Sequence, residues 1–266
     1  MKKLLVFVSF ILLFAMLLSS MVSCFEELPP PSNNEENEGG EQSGGNQNQG
    51  TPEVYTEGLE FKELEDGTYE VSRGTATAAE IVIPSTYNGK AVTEVAAEGF
   101  NEAQLSETES NVIKKVTLPS TIKKINRAAF SCCMLLEEIN IPEGVTEIGM
   151  GAFLNCHVLG DVTLPSTLTV IGENAFMWCN SFKNIVVPNG VTLLSKKAFN
   201  GCSALESVTL PSGLAEIDER AFYKCTALKT INFCGTKVQW DNMTKGKYWD
   251  FQVESYTVIC NYTENN

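Results

Sequence analysis

The stretch "TLPSTLTVIGENAFMWC", Thr163–Cys179, decides the fold, because the chain repeats it in register on both sides. Asn140–Cys156 reads "NIPEGVTEIGMGAFLNC", Val186–Cys202 reads "VVPNGVTLLSKKAFNGC" and Thr209–Cys225 reads "TLPSGLAEIDERAFYKC". Pro119, Pro142, Pro165, Pro188 and Pro211 each stand 23 residues apart. The Ala-Phe pairs that begin at Ala129, Ala152, Ala175, Ala198 and Ala221 keep that interval, and so do Cys133, Cys156, Cys179, Cys202 and Cys225. A fixed period of 20 to 50 residues is the signature of a stacked array. An earlier, longer unit carries Pro84 and Gly99-Phe100, stretched by "YNGKAV" and "NEAQLSETES".

Each unit has a physical logic. Apolar residues follow each cysteine at three, six and eight positions, as in Leu159, Val162 and Leu164. The last two are separated by one polar residue, so they point to one side of a short strand. Proline ends that strand because it cannot donate to a continuing ladder. A turn leads to a second apolar pair, such as Leu168 and Ile171, and "xxAFxxC" predicts a short helical or 3₁₀ turn packing back on the strands. One such coil cannot bury its apolar side alone. Stacked, each contributes about eight apolar side chains, worth roughly 1.5–3 kcal/mol apiece, to a shared core. The cysteine column falls on the inward side, where a small, weakly polar residue suits burial, so these are expected to be free thiols. Cys234 and Cys260 lie outside the column and leave open a bridge at the C-terminal end.

The flanks differ. Lys2 and Lys3, the apolar run Leu4–Leu18 and small residues before Cys24 have the layout of a secretory signal over residues 1–23. Residues 24–53, rich in Pro, Gly, Asn, Glu and Gln, have too little to bury and are expected to be a disordered acidic tether. Residues 54–234 are then the solenoid with a β-rich N-terminal cap, in which Asp66-Gly67 and Asn88-Gly89 predict hairpin turns. Residues 235–266 are expected to form a C-terminal cap.

Without residues 1–23, and hence without Lys2 and Lys3, 17 basic residues face 33 acidic ones, a net charge of −16. Such a surface disfavours nucleic acid. The single histidine, His157, falls in a variable slot and reads as a surface residue; alone it supports neither a His-rich metal site nor a catalytic relay. Phosphate-loop, G-x-S-x-G and H-E-x-x-H motifs are absent from the sequence, so no cofactor and no enzymatic activity are expected. Carboxylates are abundant enough to leave a β-helical carbohydrate-active enzyme as the enzymatic alternative.

Leu159–Cys179, "LGDVTLPSTLTVIGENAFMWC", resembles the BspA-type leucine-rich repeat column by column. The resemblance runs from about Leu59 to the C-terminus and includes the "GTKVQW" segment, Gly235–Trp240. It implies a mainly β fold: a right-handed leucine-rich-repeat solenoid of 23-residue units, with parallel strands, short helical turns and β-rich caps. Val22-Ser23-Cys24 resembles the lipobox of bacterial lipoproteins, with Met21 where leucine is usual; this implies lipid attachment at Cys24. Glu26-Glu27 resemble the acidic export signals of some lipoproteins and imply an outer-membrane, outward-facing position.

Relatives are largely surface proteins, some described as adhesins. The resemblance therefore implies a protein partner on a host or neighbouring cell, with membrane contact only through the lipid. An envelope scaffold or carbohydrate-binding role is the alternative. The outward residues of the strand before each proline form the candidate binding strip: Glu138 and Asn140, Asp161 and Thr163, Asn184 and Val186, Ser207 and Thr209, Thr230 and Asn232. Trp178, in a variable repeat slot, is the candidate for stacking on a sugar ring.

Overall fold

The computed structural model describes residues 54–103 and 112–263, and all of them fall in one compact unit, Gly50–Asn266. The signal segment 1–23, Cys24 and the tether 24–53 lie outside the described residues.

Two columns of short strands run down the solenoid. The strands before each proline position are β3 (Glu80–Val82), β6 (Lys115–Thr117), β8 (Glu138–Ile139), β11 (Asn184–Val186), β13 (Ser207–Leu210), β15 (Thr230–Phe233) and β17 (Thr257–Cys260). Those after it are β2 (Tyr69–Ser72), β5 (Lys90–Val95), β7 (Lys124–Ile125), β9 (Glu147–Ile148), β10 (Val170–Ile171), β12 (Leu193–Leu194), β14 (Glu216–Ile217) and β16 (Thr244–Lys245). Pairing within each column is parallel, and in the repeats it keeps the sequence period, as in Ser207 opposite Thr230 and Val170 opposite Glu147. The second apolar pair of each unit builds the second column, which is divided into two sheets between β10 and β12.

Both expected N-terminal hairpins form. β1 (Glu60–Glu63) pairs antiparallel with β2, and Asp66 Oδ1 accepts the Thr68 N–H in the turn. β4 (Thr86–Tyr87) pairs antiparallel with β5 across Asn88-Gly89, both at positive φ (50° and 76°), the pairing that a two-residue type I′ turn requires.

The core is the expected stack. In one coil Cys156, Leu159, Val162, Leu164, Leu168, Ile171, Ala175 and Phe176 are all buried. Phe100, Phe130, Phe153, Phe176, Phe199 and Phe222 form a continuous ladder, with neighbouring ring centroids 5.2, 5.5, 5.3, 5.5 and 5.7 Å apart. The cysteine column runs beside it and does more than fill space. The carbonyls of Phe130, Phe153, Phe176 and Phe199 each accept the N–H of their own coil's cysteine and also a thiol from the following coil. Phe176 O, for example, accepts Cys179 N–H at 3.2 Å and Cys202 Sγ–H at 3.1 Å. Burial pushes the thiols of Cys133, Cys156, Cys179, Cys202 and Cys225 up well above their ordinary range, so they remain neutral donors. Alanine would leave the second lone pair of each buried carbonyl without a partner. Cys260 is a free thiol, so the bridge to Cys234 does not form.

The "xxAFxxC" segments correct the expected helical turns. They are chains of tight turns, and the one α-helix among the described residues is α1 (Lys237–Asn242), capped by Thr236 and Gln239. A helix fails here because two residues per coil adopt left-handed φ. One precedes the alanine, as in Asn174 (56°), Lys197 (57°) and Arg220 (58°); the other precedes the cysteine, as in Asn155 (62°), Trp178 (64°) and Lys224 (61°). These reversals turn alternate N–H groups toward the next coil. Phe153 N–H reaches Ala175 O at 2.8 Å and Phe176 N–H reaches Ala198 O at 2.9 Å, which makes a third hydrogen-bonded side.

The segment after residue 234 is a further coil rather than a separate cap. β16 pairs with β14 and β17 with β15, both in parallel, with α1 inserted ahead of them. Val258 and Cys260 continue the inward column of Ile231 and Phe233, half-buried where those two are fully buried.

Candidate functional site

The candidate strip lies on the outward side of the first strand column, and the structure divides it in two. Glu138, Asn140, Asp161, Thr163, Asn184 and Val186 are exposed. Ser207 and Thr230 are half-buried, and Thr209 and Asn232 are 7% and 9% exposed, contrary to the expected open strip. The reason is lateral. β11, β13, β15 and β17 form one ladder that places Val186, Thr209, Asn232 and Ile259 in a row, so the two middle side chains are flanked on both sides. Asn232 also donates from Nδ2 to Ser207 Oγ at 3.4 Å.

The exposed half coincides with a break in the strand column. β8 pairs only with β6 and β11 only with β13, and the coil between them, at 160–164, carries no strand. Two strip residues bond to main chain on either side of the break, Asn140 to the coil before it and Asp161 to the coil after it. Asn140 accepts Leu118 N–H at its Oδ1 and donates from Nδ2 to Leu118 O, both at 2.8 Å. Asp161 Oδ1 accepts the N–H groups of Lys183 and Asn184 at 2.6 and 3.1 Å. In the following coils the Lys183 and Glu206 carbonyls receive the equivalent paired N–H groups, so the carboxylate stands in for a main-chain acceptor. Val162, Thr163 and Leu164 make no main-chain hydrogen bond to another described residue.

A groove of about 480 Å³ borders this interrupted coil. Leu164, Val186, Pro188, Thr209 and Pro211 line it, with Glu143, Ser166 and Asn189 as its polar groups. Ser166 donates to Glu143 through both N–H (3.1 Å) and Oγ (2.9 Å), which fixes the carboxylate in place. Cys234, which occupies the proline column one coil later, also lines it. An apolar floor with a few convergent polar groups fits a segment of another molecule better than it fits chemistry. No group of three or more His, Cys, Asp or Glu positioned for a metal occurs among the described residues.

Trp178 lies on the turn side, away from this groove, and is half-buried. Its indole crosses the next coil: a Cβ on Gly201 would come within 2.5 Å of the ring, so glycine is needed there. Lys224 Nζ, one coil further, sits 5.5 Å from the ring centroid. His157, expected at the surface, is half-buried beside it, with Nδ1 3.1 Å from both Trp178 O and Asn180 Nδ2, and burial pulls its pKa down. The same turn side carries Tyr223, Tyr248 and Phe251, which the repeat columns did not single out, because the last two fall in the longer final coil.

Residues 108–229 match the BspA type leucine rich repeat region in six copies. The T. pallidum leucine rich repeat protein TpLRR is 29% identical with a TM-score of 0.64, over 73% of this chain and 86% of that one. A leucine rich cell surface protein from Faecalibacterium prausnitzii is 26% identical with a TM-score of 0.62, over 80% of this chain but only 55% of its own. A leucine-rich repeat protein from Bacteroides ovatus, 21% identical with a TM-score of 0.52 over 77% of this chain and 76% of its own, shares the fold. No curated protein matches the sequence. The 23-residue register, the phenylalanine and cysteine ladders and the six matched copies together identify residues 108–229 as a run of BspA-type leucine-rich repeats, in a solenoid fold similar to that of bacterial leucine-rich repeat proteins.

Proposed function

We propose that this protein is an outer-membrane lipoprotein, anchored through Cys24 and facing outward, whose solenoid binds a protein on a host or neighbouring cell. The observation that carries the reading is the groove beside the interrupted coil. Val186 is 42% exposed on the outward strand face, and the main-chain groups of Val162, Thr163 and Leu164 are left for a partner to engage. An extended segment lying there would meet main-chain donors and acceptors, an apolar floor and the fixed Glu143 carboxylate together. Stacked repeats commonly present such a face as a binding surface. No helix among the described residues is long and apolar enough to cross a membrane, so on this reading attachment depends on the lipid.

The test is binding of the purified full chain to immobilised matrix proteins and to intact neighbouring cells, with Val186→Arg as the probe variant. Position 186 is exposed, so the fold tolerates the change. The reading expects a bound partner and loss of about tenfold or more in affinity, the effect of disturbing a central contact by ~1.4 kcal/mol. No binding to any such surface, or binding indifferent to Val186→Arg, overturns it.

A further inference from the structure

The turn side of the last coils carries a second surface of different chemistry. Its members touch in series: Lys224 over Trp178 (5.5 Å) and over Tyr223 (5.4 Å), Tyr223 stacked on Phe251 (5.7 Å, 16°), Phe251 against Tyr248 (5.5 Å), and Lys247 over Tyr248 (4.7 Å). Tyr248 and Phe251 are 44% and 49% exposed, among the most exposed large apolar side chains described. The equivalent turn positions in earlier coils, Ser131, Leu154, Met177 and Asn200, are not aromatic and none is exposed, so the surface belongs to this end of the stack.

Two lysines here face rings instead of carboxylates. The chain has 33 acidic and 19 basic residues, enough carboxylates to neutralise every cation. Arg220 and Lys196 do pair, both with Glu219. Lys224 and Lys247 form no ion pair among the described residues; each faces an aromatic ring instead. A cation over a ring face retains capacity for an anion at its other side. Exposed rings beside cations that have no carboxylate partner among the described residues match a ligand whose units combine an apolar face with a carboxylate.

We propose that this surface binds an acidic polysaccharide built of uronate rings, whose faces lie on Tyr248 and Phe251 and whose carboxylates meet Lys224 and Lys247. A polyphosphate fits less well, because its units offer no apolar face to lie on the exposed rings of Tyr248 and Phe251. The inference is independent of the strand-face groove, which lies on another side of the coil.

The experiment is calorimetric titration of the full chain with polygalacturonate, neutral dextran and poly-glutamate as probes. Two paired variants, Lys224→Gln with Lys247→Gln and Tyr248→Ala with Phe251→Ala, are compared at matched melting temperature. Binding of polygalacturonate is expected, about tenfold or more tighter than the other two, with each paired variant losing about tenfold. Equal binding of poly-glutamate overturns the proposal in favour of general polyanion attraction. Equal binding of dextran, with the lysine variants unaffected, overturns it in favour of a neutral glycan. Failure to bind polygalacturonate, or indifference to the ring variants, overturns it outright.

Discussion

Phe176 is the place to test whether the stack behaves as a ladder. Its ring is fully buried, stacked on Phe153 at 5.3 Å and on Phe199 at 5.5 Å, with Phe182 tilted against it at 5.4 Å. Truncation to alanine removes the buried ring and leaves a cavity held open by coils above and below, which costs about 3–5 kcal/mol. Severing two stacked pairs adds roughly 0.5–1.5 kcal/mol for each. Phe100, equally buried, has a single stacked neighbour, Phe130 at 5.2 Å. Phe100→Ala should therefore cost less than Phe176→Ala by about one stacking contact, ~1 kcal/mol.

The two should also differ in kind. A solenoid's stability is a sum over coils and their interfaces, so a weak central interface separates the coils on either side of it. Urea unfolding of Phe176→Ala, followed by circular dichroism, is expected to show two transitions, and Phe100→Ala one transition at lower denaturant than wild type. Phe176→Leu keeps most of the apolar volume and should lose only about 1.5 kcal/mol. A Phe176→Ala chain that unfolds in one step with a loss below about 2 kcal/mol would refute the reasoning, because the ladder would then not couple the coils.

Further expectations concern the thiols, the left-handed turns and the histidine. Cys133, Cys156, Cys179, Cys202 and Cys225 are fully buried with raised pKa values, so at pH 8 a thiol reagent should label them only on unfolding; labelling of any one in the native chain, located by peptide mass, contradicts the hydrogen-bonded column. Gln252 is exposed at φ 68°, so Gln252→Gly should raise the melting temperature by a few degrees, equivalent to about 1 kcal/mol, where glycine normally destabilises. His157 has its pKa lowered by burial from 6.5, so the unfolded chain binds a proton more readily than the folded one. Stability from this group is present above pH 6.5 and is lost as pH falls through the folded value; His157→Asn should remove that component from the wild-type minus variant difference in urea midpoint between about pH 5 and 7.

Much of this fold was legible because a repeat tests itself: a position that is apolar in five consecutive units faces the core. The eight inward residues of each coil and the proline ends of the strands follow from that alone, while the two N-terminal hairpins follow from the turn signals Asp66-Gly67 and Asn88-Gly89. The turn geometry was not legible in the same way. Asn174, Lys197, Arg220, Trp178 and Lys224 occupy left-handed positions that glycine usually marks, and only Gly151 and Gly201 do so in these columns. The hydrogen bonds to the next coil hold the others there.

The candidate site was half legible. Alternation identifies the outward residues, but burial of Thr209 and Asn232 depends on neighbours 23 residues away and on β17, whose "TVIC" sequence lies outside the repeat. The break at 160–164 shows in Asp161, whose carboxylate takes over the place of a main-chain acceptor for Lys183 and Asn184. Trp178 was visible as an odd residue in its column. Its partner Lys224 is two coils away and is brought to it only because Gly201 lets the indole lie flat.

The central claim is that this solenoid is displayed outward to meet a partner, and protease shaving of intact cells tests it most directly. Cells are treated with an impermeant protease and blotted for this protein and for a periplasmic control. The account expects the protein to be lost while the control survives. Survival of both until the cells are lysed would contradict it, and would leave the acidic solenoid facing the periplasm with envelope components as its partners.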